Sequence, residues 1–211
     1  SIISFFLHLK KGCHCNLGDA CLPITILFKE VRKSIFKRLK PQIKVKKMKF
    51  NTKTIHGGQK PEATTGAVMP PVFMTSTYVH SNPGEPQEYE YSRGANPTRT
   101  ALENSFASIE NGTHGFAFSS GMAAIDCVLR TLNPGDEVIA GDYLYGGTYR
   151  MFTRLFQKYG LEFTYVDMNV VANVTHAITE KTKLVWIETP TNPLMKIADI
   201  EVICTAVKEV N

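Results

Sequence analysis

The feature that most limits how this chain can fold is the alternation that begins at His114. Short apolar runs are followed, several times over, by segments whose apolar residues recur at helical spacing. The pattern predicts strand 115–118, helix 121–132, strand 137–140, helix 147–159, strand 162–167, a short helix near 173–179, strand 183–188 and helix 199–210. Between the first helix and the second strand, Asn133-Pro134-Gly135-Asp136 concentrates turn formers. Strand followed by helix, repeated, implies right-handed crossovers and a mainly parallel sheet with helices on both faces. Ligands of such sheets sit at the carboxyl ends of the strands. Ser119 to Met122, Asp142 to Tyr145 and Glu188 to Asn192 all fall at those ends, so topology alone predicts that they converge.

Within that frame, Ala117-Phe118-Ser119-Ser120-Gly121-Met122-Ala123-Ala124 carries the most chemistry. A helix that starts at Gly121 leaves its first backbone N–H groups without carbonyl partners, and its dipole favours an anion there. Phosphate is the natural guest, held by the N–H groups of Gly121 and Met122 with the Ser120 hydroxyl beside them. Close helix–sheet packing would ask for the same small residues. The surrounding motifs sharpen the phosphate reading: Tyr89-Glu90-Tyr91-Ser92-Arg93 and Asn96-Pro97-Thr98 upstream, Tyr145-Gly146-Gly147-Thr148 downstream, and Glu188-Thr189-Pro190-Thr191-Asn192-Pro193 near the end.

Those four motifs, in that order, make residues 48–211 resemble the pyridoxal-phosphate enzymes of Cys/Met metabolism, the cystathionine γ-synthase, γ-lyase and β-lyase group. The resemblance implies an α/β fold of the fold type I, transferase-like class, a truncated one here, preceded by an extended N-terminal arm. It implies pyridoxal 5'-phosphate as cofactor, with Tyr91, Arg93, Ser120, Gly121, Met122, Tyr145, Glu188 and Asn192 around it. Tyr91 and Arg93 would reach the phosphate of a neighbouring subunit, the arginine as a bidentate fork. Tyr145 would stack on the cofactor ring and act as the catalytic residue that takes a proton from the substrate amine. Asn192 would bond the cofactor's phenolic oxygen and the substrate carboxylate, and Arg150 would reach substrate or simply cover its helix. Glu188 would lie close to the cofactor, although a carboxylate partnered by arginine or backbone would look the same in sequence. The Schiff-base lysine and the aspartate that pairs with the pyridinium nitrogen lie, in this family, beyond the Glu188 to Pro193 motif, and neither is matched before Asn211.

The implied activity is β- or γ-elimination or γ-replacement on sulfur amino acids, in a homotetramer of dimers that share active sites. Gly147 stands where methionine γ-lyases carry a cysteine, which turns the resemblance toward the cystathionine enzymes. An O-acylhomoserine sulfhydrylase shares every motif quoted. A non-catalytic module that associates with full-length subunits is the reading from a different class.

Charge divides the chain. Residues 1–47 hold 11 Lys/Arg against Asp19 and Glu30, whereas residues 48–211 hold 13 against 17 acidic residues. The mildly acidic majority argues against nucleic-acid binding. Cys13, Cys15 and Cys21 lie near His8 and His14, but their spacing fits no standard zinc pattern, so no metal is expected. Cys127 and Cys204 fall in predicted helices and read as buried thiols, and five unpaired cysteines suit a reducing, cytoplasmic setting.

Residues 1–47 carry none of the resemblance and read as an unrelated basic tail or translated upstream sequence, with Met48 as the natural initiator. Leu27, Val31, Ile35 and Leu39 recur every four residues among lysines and arginines, the pattern of a basic amphipathic helix for a membrane surface or an organelle address. The run Ile2 to Leu9 is too short to span a bilayer. From residue 48 the expected division is an arm with a first helix over 48–113 and the α/β part over 114–211. Residues 51–96, rich in Pro, Gly and Thr, read as loop, and a helix starts near Pro97 with Leu102, Phe106 and Ile109 as its apolar face.

Overall fold

The structure, a computed structural model, describes residues 24–28, 48–85 and 87–210. They form two compact units, 118–210 with strand 24–28, and 48–117. In the first unit the elements are β1 (Ile24–Phe28), α3 (Gly121–Leu129), β2 (Glu137–Gly141), α4 (Gly146–Arg154), β3 (Glu162–Val166), α5 (Val171–Ala177), β4 (Thr182–Glu188) and α6 (Ile200–Glu209). The second holds α1 (Phe50–His56) and α2 (Pro97–Ile109).

The sheet runs β1-β4-β2-β3. β2 is parallel to both β3 and β4, and β1 is antiparallel to β4, with Ile24 opposite Glu188 and Phe28 opposite Leu184. Alternation along each strand decides which helix it meets. Ile139, Val185 and Ile187 point to one face and pack with Val174 of α5 and Ile203 and Val207 of α6. Trp186 and Phe163 point to the other and meet Phe152 of α4, at ring separations of 5.5 and 4.5 Å. All seven residues of β4 are buried or nearly so, as a strand covered on both faces requires.

The helical stripes account for the rest of the packing. α3 buries Ala124, Ile125, Val128 and Leu129, which leaves Cys127 on its outer side, exposed rather than buried as expected; Cys204 of α6 is buried. α4 stops at Arg154, earlier than the predicted 159, because Leu155 takes φ −115° and ψ −67° and the chain tightens into a 3-10 turn over Phe156–Tyr159. The strand at 24–28 occupies the start of the segment predicted as a basic amphipathic helix; Val31, Ile35 and Leu39 lie outside the described residues, as do Cys13, Cys15 and Cys21. Among the described residues no helix is long and apolar enough to cross a membrane.

Residues 48–117 depart from expectation in three places. Phe50–His56 is helical where loop was predicted, and α1 docks on α2 through Gly57 and Gly58. Gly58 has φ +69°, and a Cβ there would sit 2.1 Å from the Asn104 carbonyl oxygen, so only glycine allows this approach. The face that α2 buries is Ala107 and Ser108, not Leu102, which is 38% exposed. Residues 115–118 form no strand: the Ala117 amide donates to the Glu103 carboxylate of α2 at 2.9 Å and so is satisfied without a strand partner. The arm between α1 and α2 leaves Val72, Met74 and Val79 at 70, 91 and 93% exposure.

At the amino end of the sheet lies a buried carboxylate, Glu137. It accepts hydrogen bonds from Thr164 at 2.7 Å, Thr179 at 2.7 Å and Thr182 at 2.6 Å, tying together β2, β3, β4 and the turn before β4. Burial pushes its carboxyl up, but the three hydroxyls and the Lys181 charge together outweigh it and hold the group below its ordinary value. A depressed folded-state value means that this stabilisation is full above the unfolded value near 4.5 and is lost as pH falls through the folded one. Glu137→Gln is therefore expected to lower stability at pH 7 by about 1–3 kcal/mol. The gap from wild type should narrow below about pH 4. Urea midpoints of both proteins at pH 7 and pH 3 check this; a gap that does not depend on pH would contradict it.

Candidate active site

Two segments meet over Gly147 and border one cleft. The first is the start of α3. Ser120 is its N-cap in extended conformation, φ −160° and ψ 161°; its hydroxyl accepts from the Ala123 amide at 3.2 Å and its carbonyl from the Ala124 amide at 3.2 Å. Helix geometry leaves the amides of Gly121 and Met122 to point out of the first turn, and the Ser120 hydroxyl keeps a proton to donate.

The second segment is the turn into α4. Tyr145 is the N-cap, but its side chain caps nothing, and the phenol stands 49% exposed. Its backbone amide donates to Glu188 Oε2 at 2.6 Å, while Glu188 Oε1 accepts from Thr148 Oγ1 at 2.8 Å and Trp186 Nε1 at 3.1 Å. Thr148 is fully buried and Glu188 nearly so. The carboxylate at the end of β4 thus takes the part that an acidic third residue plays in a capping box, reaching the N-cap amide from another element. Its charge also sits at the positive end of the α4 dipole.

Met122 and Tyr145 meet across Gly147. A Cβ on Gly147 would lie 2.4 Å from Tyr145 Cε1 and 2.8 Å from Met122 Sδ. The glycine that separates this chain from the cysteine-bearing pattern is what lets the phenol ring settle against α4. A cleft of about 290 Å³ is lined by Met122 and, along α4, by Tyr145, Gly147, Arg150, Met151, Arg154 and Leu155; Ser120, Gly121, Glu188 and Asn192 do not line it. Arg150 is exposed at its edge.

Outside the lining of this cleft lies the loop after β4. Thr191 closes it, accepting from Met195 N–H at 2.9 Å on its carbonyl and from Lys196 N–H at 2.9 Å on its hydroxyl, and Asn192 lies exposed at the tip. Sequence reasoning missed what anchors this loop. Lys196 reaches Asp142 after β2 at 3.2 Å and Asp167 after β3 at 3.6 Å, with the Tyr143 ring 4.2 Å from its ammonium. Partial burial works against its charge, but the two aspartates outweigh this and hold the amine above its ordinary value. The signal available was one acid just past each of two adjacent parallel strands.

Tyr91 and Arg93 belong to the 48–117 unit and are brought together there, the guanidinium carbon 4.8 Å from the tyrosine ring centre. A short antiparallel contact positions them: Tyr78 N–H to Glu90 carbonyl at 3.2 Å and Ser92 N–H to Ser76 carbonyl at 2.8 Å. Asn96 fixes the turn, capping α2 through Thr98 N–H and donating to Ser92 Oγ at 3.0 Å and Phe73 carbonyl at 3.2 Å. Both functional side chains remain exposed. Among the described residues no cluster of His, Cys, Asp or Glu could hold a metal ion.

A mainly parallel sheet flanked by helices, with Met122 of one helix start and Tyr145 of another at a common cleft, defines an α/β protein. Residues 51–211 match the Cys/Met metabolism PLP-dependent enzymes, and the chain belongs to that family. It is 48% identical over 167 residues to the cystathionine β-lyase of Coxiella burnetii and 48% identical over 162 residues to the cystathionine γ-lyase of Bacillus subtilis; the matched segments make up 79 and 77% of this chain and 43% of each relative. A cystathionine γ-lyase structure from Lactobacillus plantarum, complexed with L-serine, superposes with a TM-score of 0.72 at 45% identity, covering 77% of this chain and 42% of that one. The chain therefore spans less than half the length of these relatives. The family is pyridoxal-phosphate dependent, and the α3 amides and the half-exposed Tyr145 phenol have the donor and stacking chemistry that this cofactor asks for.

Gly147→Ala isolates the contact with Tyr145. Alanine gains about 1 kcal/mol of helix propensity over glycine, and the atoms in its way are ends of movable side chains, so stability should change by less than about 1 kcal/mol. The Tyr145 ring must move nonetheless. Its NMR ring resonances should shift while the melting transition stays nearly fixed; unshifted resonances would show that the ring does not rest on Gly147.

Proposed function

We propose that this chain is the cofactor-phosphate-binding part of a pyridoxal-phosphate-dependent trans-sulfuration enzyme, a cystathionine γ-synthase or a cystathionine γ- or β-lyase. The observation that carries the reading is the meeting of the first turn of α3 with the turn into α4: Met122 and the Tyr145 ring close on Gly147 and border one cleft. In this role Gly121, Met122 and Ser120 hold the phosphate, Tyr145 stacks on the ring and moves a proton at the substrate amine, and Asn192 orients the cofactor's phenolic oxygen. Pyridoxal phosphate, when bound, supplies the electron sink that stabilises charge at the substrate's α-carbon. Arg150, at the cleft edge, is positioned for a substrate carboxylate, in keeping with the amino acid named in the related complex.

Tyr91 and Arg93 serve a neighbouring subunit's phosphate in this reading, and the exposed apolar arm from Val68 to Val79 lies on that neighbour within a tetramer of site-sharing dimers. The setting is cytoplasmic and the substrate a sulfur-containing amino acid. The residues that complete catalysis, the Schiff-base lysine among them, lie outside the 211, so the chain alone is inactive.

The test uses 4'-deoxypyridoxine 5'-phosphate, which lacks the aldehyde and so cannot react with lysines. Calorimetry with the chain should show binding that Gly121→Pro weakens by about one to two powers of ten, the worth of one charge-assisted hydrogen bond. Proline is tolerated at the first helical position and the extended Ser120 before it suits proline, so the helix should survive. Cystathionine supplied with pyridoxal phosphate should release neither thiol nor keto acid. Unaltered affinity in Gly121→Pro would remove the phosphate assignment, and turnover by the chain alone would remove the assignment of catalysis to residues outside it.

A further inference from the structure

We infer that Glu188 is a positioning residue for Tyr145 that works as an acceptor-only anchor, rather than a group that touches cofactor or substrate. The inference deepens the reading above and rests on it for the role of Tyr145. Three donors surround the carboxylate: the Tyr145 amide at 2.6 Å, the Thr148 hydroxyl at 2.8 Å and the Trp186 indole N–H at 3.1 Å. Two of these, the amide and the indole, can only donate. Oε2 faces the amide and Oε1 faces the indole, so each oxygen has a partner that demands an acceptor.

A carboxylate meets both demands, and an amide of the same shape cannot. If Gln replaced Glu188, its NH2 group would confront either the Tyr145 amide or the Trp186 indole N–H, leaving a donor against a donor in a buried place. Only Thr148, whose hydroxyl can turn and accept, would tolerate the exchange. The consequence reaches the cleft because the tether is to Tyr145's own backbone at the N-cap of α4. The phenol has no capping bond of its own to hold it. Loss of the tether frees the turn that carries the ring, while the α3 amides, on a different element, keep their place.

This logic predicts a rescue that a merely structural role would not show. Glu188→Gln places its NH2 against the indole when its oxygen keeps the Tyr145 amide; adding Trp186→Phe deletes the opposing N–H and leaves Thr148 to accept. In the ligand-free chain, Glu188→Gln should shift the NMR resonances of the Tyr145 amide and ring, and Glu188→Gln with Trp186→Phe should return them toward those of Trp186→Phe alone. Unshifted Tyr145 resonances in a folded Glu188→Gln, or no return in the double variant, overturn the inference whatever the ligand does. Should Glu188→Gln fail to fold, Thr148→Val and Trp186→Phe, which each remove one donor and leave the Tyr145 tether, should both keep wild-type Tyr145 amide shifts to within local ring effects; displacement of that amide in Thr148→Val overturns it.

A second arm separates this inference from the reading beneath it. Glu188→Gln should weaken 4'-deoxypyridoxine 5'-phosphate about tenfold and leave inorganic phosphate unchanged, since phosphate needs only the start of α3. Equal loss of both probes overturns the positioning role in favour of general disruption. Absence of binding of either probe to the wild-type chain strikes the cofactor reading itself, and the Tyr145 resonances then decide the tether alone.

Discussion

A carboxylate placed at the end of a buried strand must be fully paired, and the site in this protein depends on how Glu188 meets that requirement. Its partners come from three places: the strand's own Trp186, the α4 hydroxyl of Thr148, and the Tyr145 amide in the turn before α4. Trp186 in turn meets Phe152 of the same helix edge-on at 5.5 Å. Strand and helix are therefore joined by a polar contact at the cleft end and an aromatic one beneath it. The polar contact fixes where the chain enters α4, and that entry fixes where the phenol stands. Glu137 plays the corresponding part at the opposite end of the sheet, where three threonine hydroxyls converge on one carboxylate beside a register shift between β2 and β4. Among the described residues no basic side chain is hydrogen-bonded to either buried carboxylate; hydroxyls, a backbone amide and an indole N–H stand in place of charge pairs.

How much of this was legible in the sequence follows from the range of each interaction. The alternation of strands and helices is a local pattern, and β2, β3, β4, α3 and α6 lie within a few residues of the predicted spans. The meeting of the α3 start with the Tyr145 turn was expected too, but only the Tyr145 turn follows a strand as the topological argument requires; no strand at 115–118 delivers α3. What was not legible is pairing between distant residues. Thr148 and Tyr145 lie 40 and 43 residues from Glu188, and Lys196 lies 54 from Asp142. Nothing local distinguishes Thr148 from any helical threonine. The predicted strand at 115–118 failed for a related reason, since a strand is defined by its partner and the Ala117 amide found Glu103 instead. Cys127 was misjudged because a place in a helix does not fix the face: the α3 stripe runs through Ala124, Ile125, Val128 and Leu129 and passes Cys127 by.

Gly147 shows how one missing methyl group can shape a site. A Cβ there would meet both the Tyr145 ring and the Met122 sulfur, so these two side chains close over the backbone itself. Family membership rests on residues 51–211 and on relatives called lyases and synthases alike, with near-equal identities. Tyr91 and Arg93 stack on one another in the other unit, open to solvent, beside the turn that Asn96 fixes. That arrangement costs little to maintain when no ligand is near, because the guanidinium stays hydrated.

The chain has one tryptophan, which makes the central claim directly observable. If the Glu188 carboxylate accepts the Trp186 indole N–H inside the fold, that proton is buried and hydrogen-bonded. In a 1H–15N spectrum of the chain, the single indole resonance should then exchange with D2O many times more slowly than an exposed indole does. It should also move when Glu188 is replaced by Gln. An indole proton that exchanges as fast as that of free tryptophan, or one indifferent to residue 188, would contradict the account at its foundation.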